Sequence, residues 1–318
     1  MFSLMRKKVR PNVLAGVYPG AEGTAIATVR REPDVPPTLE LAAWQPAAPA
    51  GEQGEVLSRL VSKTNVDECH CVGLVNLEDY SLVLVEAPAV EPEEMRAAIR
   101  WRIKDLIDFD IDNAVVDVFD VPESKSGRAN MVYGVVAPLK AVKDRADSLT
   151  QAGLNLEVID IPELALRNIA ALLPEDVGGV ALVYIGQDGG LITITRQQTL
   201  YLSRRISTGI NALPDTLMQA NDPDVIERWL DNIIVEVQRS LDYYDSHFSL
   251  TPVTSLVLTP LPGEMPSVAQ YISDQLDIST RILDIHTLVD SDLSLGSELQ
   301  YQCLLAIGAA LRDRSNDS

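Results

Sequence analysis

The chain has 318 residues, 46% of them hydrophobic, and its 46 acidic against 26 basic side chains give a formal net charge of −20. A balance of that sign repels nucleic-acid backbones and anionic lipid and so excludes a general phosphate-backbone binder. The length suffices for two domains or one bilobed domain with real cores, and no stretch approaches the roughly 20 apolar residues of a membrane span.

The opening MFSLMRKKVR has its basic residues after its apolar ones and no apolar h-region, which predicts a cytoplasmic protein without a secretory signal. Residues 13–18, 24–30 and 38–44 are β-rich and broken by glycine and proline, the pattern of a three-stranded meander. A helix over GEVLSRLVSK follows, then CHCVGLV as an interior strand. In a strand Cys69 and Cys71 face one side and His70 the other, so CHC is read as buried strand and not as a metal site. With Cys303 the cysteines number three, which fits a reducing compartment without disulfides.

Pro92 with Glu91, Glu93 and Glu94 opens a helix that carries Met95, Ile99, Ile103 and Leu106 on one face and Trp101 off it. NAVVDVFDVP and NMVYGVVAP read as strands around the polar ESKSGRAN. A helix (LKAVKDRADSLTQAG) and a strand (LEVIDI) complete what reads as a compact insertion. After a helix around ELALRNIAALL the opening pattern restarts: VALVYIG, LITITRQ and TLYLSRRIS. Asp222 as N-cap and Pro223 at the first position begin a long helix with Ile226, Trp229, Leu230, Ile233, Val237, Leu241, Tyr244 and Phe248 at core spacing. The strand SLVL with the turn TPLPG, the helix SVAQYISDQL, the strand TRILDI and the helix LQYQCLLAIGAALR finish the chain.

Two glycine elbows, GVYPGAEGT and VYIGQDGG, follow the first strand of each half. Such elbows cradle phosphates where backbone N–H groups must approach closely. Each carries a tyrosine, Tyr18 or Tyr184, where phosphate chemistry asks for a carboxylate.

RWRIKDLIDFDIDNAVVDVFDV, LEVIDIPELALRNIAAL and EVQRSLDYYDSHF, in this order and spacing, resemble the PilM family of type IV pilus assembly proteins, nearest to its branch from mannose-sensitive haemagglutinin (MSHA) pilus systems. The resemblance implies an α/β actin-like ATPase (ribonuclease H-like) fold with two lobes. It divides the chain into lobe I at 1–176, subdomain 1A with subdomain 1C inserted at about 84–157, and lobe II at 177–298, subdomains 2A and 2B. Residues 299–318 form a C-terminal helix returning to the lobe interface.

Aligned on Gly20 and Gly186, Tyr18 and Tyr184 take the positions of the magnesium-holding aspartates of nucleotide-binding relatives. The site carried over is degenerate: Gly16, Tyr18, Gly20, Tyr184, Gly186, Asp188 and Gly189. A neutral phenol is a poor ligand for magnesium, which prefers hard anionic oxygens, so the expectation is a scaffold with no catalytic residue, metal or cofactor. The two rings are expected to fill the empty cleft, and the prolines of Thr259-Pro260-Leu261-Pro262-Gly263 stiffen the turn expected on the adenosine side. The alternative is an active ATPase that uses Asp188 with ATP or ADP and magnesium. The resemblance further implies a partner, the PilN-like cytoplasmic tail of a bitopic inner-membrane assembly protein, held between 1A and 1C. Trp101 and Arg102 are the candidate contacts, and the family relationship leaves open the assembly motor ATPase as a second partner and a homodimer.

Overall fold

The computed structural model describes residues 9–49, 51–122, 130–213, 223–263, 265 and 267–313. The first meander is β1 (Arg10–Pro19), β2 (Gly23–Arg30) and β3 (Thr38–Pro46), followed by α1 (Gln53–Thr64) and β4 (Cys69–Leu74). The chain then makes an excursion through β5 (Ser81–Glu86), α2 (Pro92–Ile103), β6 (Ala114–Asp120) and β7 (Met131–Pro138). It returns through α3 (Leu139–Gln151) to β8 (Asn155–Asp160) and α4 (Pro162–Ala170). The second half runs β9 (Val180–Ile185), β10 (Gly190–Arg196), β11 (Thr199–Ile206), α5 (Pro223–His247), β12 (Ser255–Leu258), α6 (Ser267–Leu276), β13 (Ser279–Ile282) and α7 (Ser297–Ala310).

The two halves repeat one topology. The first sheet has the order β3-β2-β1-β4-β8 and the second β11-β10-β9-β12-β13. In each, the meander strands pair antiparallel and the next two pair parallel to the first. The parallel additions need crossover helices, and α1, α3, α5 and α6 supply them. Strands buried on both faces read as unbroken apolar runs, which is the case for VALVYI, buried along its whole length. Cys69 and Cys71 point into a core with Leu57, Val61 and Leu149, while His70 on the other side meets Glu157 and Asn155.

The excursion forms its own sheet, β5-β7-β6, with α2 on one face. Ile99 and Ile103 are fully buried there, each worth about 1.5–3 kcal/mol of apolar burial, and they press against Gly134, whose missing Cβ leaves room for Ile99. Two expectations change. β5 belongs to the small sheet, so the excursion starts at Ser81 and not near 84. β8 pairs parallel with β4, and Leu149 of α3 lies in the lobe I core, so the small sheet ends at Pro138 and not near 157. α2 stops at Ile103, and Leu106, expected on its apolar face, sits in a following 3-10 turn 57% exposed. The ESKSGRAN segment (123–129) and the Asp222 cap lie outside the described residues.

The lobes are joined by an exchange of helices. α4, at the end of the first half, packs on β9, β10 and β11, whereas α7, at the end of the second, packs on β1, β2, β3 and β4 and against α4. Close approach is built in: a Cβ on Gly308 would stand 2.4 Å from the Ala165 carbonyl oxygen, and the Asn168 side chain donates to the Gly308 carbonyl at 2.9 Å. The segment after β13 also crosses over, because Leu39 donates to Asp290 O at 2.8 Å and Asp290 to Pro37 O at 2.9 Å. Residues near 290, expected within lobe II, thus extend the lobe I edge.

Candidate functional site

Both elbows form the same turn. Gly20 N donates to Gly23 O at 2.8 Å, and Gly186 N to Gly189 O at 2.7 Å. In each, the tyrosine two residues earlier lays its ring under the first glycine: a Cβ on Gly20 would lie 3.2 Å from Tyr18 Cε1, and one on Gly186 3.1 Å from the Tyr184 hydroxyl. Gly189 is pinned between strands, its Cβ position 2.7 Å from Ile206 O. Asp188 stands at the rim and accepts from Asn211 Nδ2 at 2.9 Å. Gly16, expected among the phosphate-facing glycines, faces the other way. A Cβ there would be 1.9 Å from the Ala306 carbonyl oxygen, so it serves the packing of α7 on β1.

The elbows face each other across a cavity of about 450 Å³, lined among others by Tyr18, Glu22, Glu78, Tyr184, Asp188 and Tyr301. The expectation that the two rings close the cleft is therefore overturned: each ring folds back along its own turn, which leaves the space between the lobes open. Burial, with Glu78 adding, pushes the Tyr18 phenol up to about 12, and burial raises Tyr184 well above the ordinary phenol range. Both are neutral at pH 7. Burial also raises the Glu22 carboxyl, against a hydrogen bond from Gln187 and with Asp188 adding repulsion. Among the described residues the turn after β12, Thr259 to Gly263, lines none of this cavity.

A second cavity of about 440 Å³ lies between the small sheet and lobe I, with Phe119, Val135 and Ala137 on one wall and Ile161, Leu164 and Arg167 on the other. Arg312 Nη1 bonds Asp160 Oδ2 at 2.6 Å at its floor; burial raises the Asp160 carboxyl and the arginine opposes that rise. Trp101 and Arg102 do not line this groove. β7 turns Val132 and Val136 toward α2 and Val135 and Ala137 toward the groove, so the helix bearing Trp101 covers the opposite face. Trp101 is 77% exposed with Lys104 Nζ 6.0 Å from its ring centroid, and Arg102 turns back to the Glu86 carbonyl at 3.3 Å. The groove residues were missed because the sequence does not say which face of the small sheet α2 covers. Among the described residues no helix is long and apolar enough to cross a membrane, and no three His, Cys, Asp or Glu side chains converge as metal ligands.

Two sheets of one topology with a cleft between their elbows and a small sheet inserted in the first define a two-lobed protein of the actin-like ATPase fold. No family model matches the chain and no curated protein matches it in sequence. Among solved structures it is similar to a chain of a PilM–PilN type IV pilus biogenesis complex, with TM-score 0.74 and 19% identity over 94% of this chain and 97% of that one. It is also similar to a Bacteroides thetaiotaomicron protein with an actin-like ATPase fold and unknown function, with TM-score 0.51 and 8% identity over 96% and 98% of the two chains.

Proposed function

We propose that this chain is a non-catalytic scaffold of type IV pilus assembly, of the MSHA kind and comparable to MshI, that holds the cytoplasmic tail of a bitopic PilN-like inner-membrane protein in the groove between the small sheet and lobe I. The observation that carries the reading is that groove, in a fold similar along nearly its full length to a chain of a PilM–PilN complex. It combines apolar side chains such as Phe119, Val135 and Leu164 with the charged Asp160, Arg167 and Arg312, and among the described residues β6 pairs on one side only, with β7. An extended peptide fits such a place by adding its backbone to a strand edge and its alternate side chains to apolar pockets. The protein then works on the cytoplasmic face of the inner membrane through its partner, with the assembly motor ATPase as a further contact and self-association into a homodimer as part of the same proposal.

Loss of catalysis in this reading follows from the elbows. Neutral phenols stand where magnesium-holding carboxylates are needed, and the leading amide of each turn is already bonded inside it. The open cleft favours a second reading, an ATPase that holds magnesium-bound ATP beside Asp188.

Fluorescence anisotropy with a labelled peptide of the PilN-like tail tests the first reading. Phe119→Asp should weaken binding at least tenfold, and Trp101→Ala should leave it unchanged. Binding lost with Trp101→Ala and kept with Phe119→Asp sinks the groove. A saturable, magnesium-dependent thermal shift with ATP supports the second reading instead, since ligand at 100 times its Kd adds about 2.7 kcal/mol.

A further inference from the structure

The cleft holds more polar chemistry than two strand connections require. Tyr184 and Tyr301 are 9% and 8% exposed and both line it. Neither hydroxyl has a hydrogen-bond partner among the described residues. Both side chains line the cavity and neither hydroxyl is sealed from it, so each is free to bond a molecule placed there. Tyr18, likewise without a partner among the described residues, stands at the same cleft from the other lobe. Three phenols from three distant segments therefore converge on one space with their donors and acceptors unspent.

The charge around them is mostly negative, although Arg145 acts on Tyr18 from behind the first elbow. Glu22, Glu78 and Asp188 line the cleft with Arg205 as the lining guanidinium, and Arg205 is turned toward Tyr80, donating to its carbonyl at 2.8 Å with its guanidinium carbon 4.9 Å from the ring centroid. Trp44 contributes a further aromatic wall. Phosphate is repelled by such a surface. Aromatic faces attract a cation through their quadrupole, carboxylates supply the countercharge, and phenol oxygens accept its N–H groups. The burial and neighbouring acid that raise Glu22 would be relieved by a bound positive charge. A cavity of about 450 Å³ suits a small molecule.

We propose that the inter-lobe cleft is a binding site for a small organic cation, an ammonium or guanidinium compound, held by Glu22 and the hydroxyls of Tyr18, Tyr184 and Tyr301. The ligand class rests on the reading that the cleft has given up nucleotide, and the test keeps the two apart. Isothermal titration calorimetry of the full chain at low salt is run with agmatine, with choline and with ADP plus magnesium. Saturable one-site binding of agmatine or choline is expected, weakened at least tenfold by Glu22→Gln and at least threefold by Tyr184→Phe, and unchanged by Glu91→Gln on the exposed start of α2. Magnesium-ADP is expected to give no saturable heat.

No saturable binding of either cation, or binding indifferent to Glu22→Gln, overturns the cation site and leaves the loss of nucleotide standing. Saturable magnesium-ADP binding that excludes agmatine overturns both.

Discussion

Set Tyr18 against Tyr184 and the first strands of the two lobes can be compared residue by residue. Gly16 in lobe I then stands opposite Leu182 in lobe II. Both are interior positions, yet they solve different packing problems. α7 runs so close to β1 that the Ala306 carbonyl occupies the space a side chain at 16 would need, whereas Leu182 is fully buried in the central cluster. The elbows differ in the same spirit. The first is braced by a side chain from afar, Arg145 Nη1 of α3 donating to Pro19 O at 2.9 Å. The second is braced by backbone, Ile210 N to Gly186 O and Asn211 N to Gln187 O, both at 2.9 Å. Each elbow also has the other kind of brace, Ala47 N to Glu22 O at 2.6 Å in the first and Asn211 Nδ2 to Asp188 in the second, so the difference lies in the source: among the described residues only the lobe I elbow is tied to the helix that leads back from the small sheet.

The largest effect should come from exchanging the unlike positions. Gly16→Leu has no room and should destabilise by about 3 kcal/mol or more, since overpacking a tight core typically costs 1–3 kcal/mol and here the obstacle is backbone. Leu182→Ala should cost about 2–5 kcal/mol by leaving a cavity. Urea melts measure both, and a Gly16→Leu variant within 1 kcal/mol of the parent would break the comparison. Next, Arg145→Ala should cost about 1–2 kcal/mol and speed amide exchange in residues 20–23 while 185–189 keep their protection. Equal exchange in both elbows would mean that the arginine does not brace the first.

Smaller still, Tyr184→Phe removes a hydroxyl that opens onto the cleft and has no partner among the described residues, and it should change stability by no more than about 0.5 kcal/mol, read as an almost unchanged Tm; a clear fall would show that the hydroxyl is bonded. A comparably small effect concerns the outer edge of lobe II, where Arg281 grips Glu175 at 2.6 and 3.0 Å. The arginine holds the Glu175 carboxyl below its ordinary value of 4.5. A depressed folded value means the stabilisation is present above 4.5 and disappears as pH falls through the lowered value. The pair is partly exposed and worth at most about 1 kcal/mol. Tm of the parent and Glu175→Gln should therefore differ near neutral pH and converge in acid.

The meanders and elbows were legible because glycine and proline punctuate them and because the same pattern occurs twice. β5 escaped because SLVLVE carries apolar residues on both faces: Val83 and Val85 meet the α2 side while Leu82 and Leu84 pack toward the lobe II core. Without an alternating polar face the strand has no period of its own to read. The overlong reading of α2 has a similar origin, since Leu106 continues the spacing while nothing in KDL marks the stop. Of the cleft, Tyr18 and Tyr184 could be found because each sits two residues before its elbow glycine. Tyr301 could not, because only the return of α7 across the first lobe brings it there. That Trp101 lies on the face away from the groove could not be read for a related reason, the handedness with which α2 crosses its sheet being a tertiary property.

The exchange of α4 and α7 has a consequence for how the chain is made. A face of the first sheet is covered by a helix whose last residue leaves the ribosome 300 positions after Arg10. At roughly 5–20 residues per second that is about 15–60 s of synthesis. During that interval Leu14, Ala27 and Val29, which the finished protein buries beneath α7, have no permanent cover. A chain halted before residue 297 should therefore leave these apolar side chains exposed, and should be retained by chaperones that bind such surface.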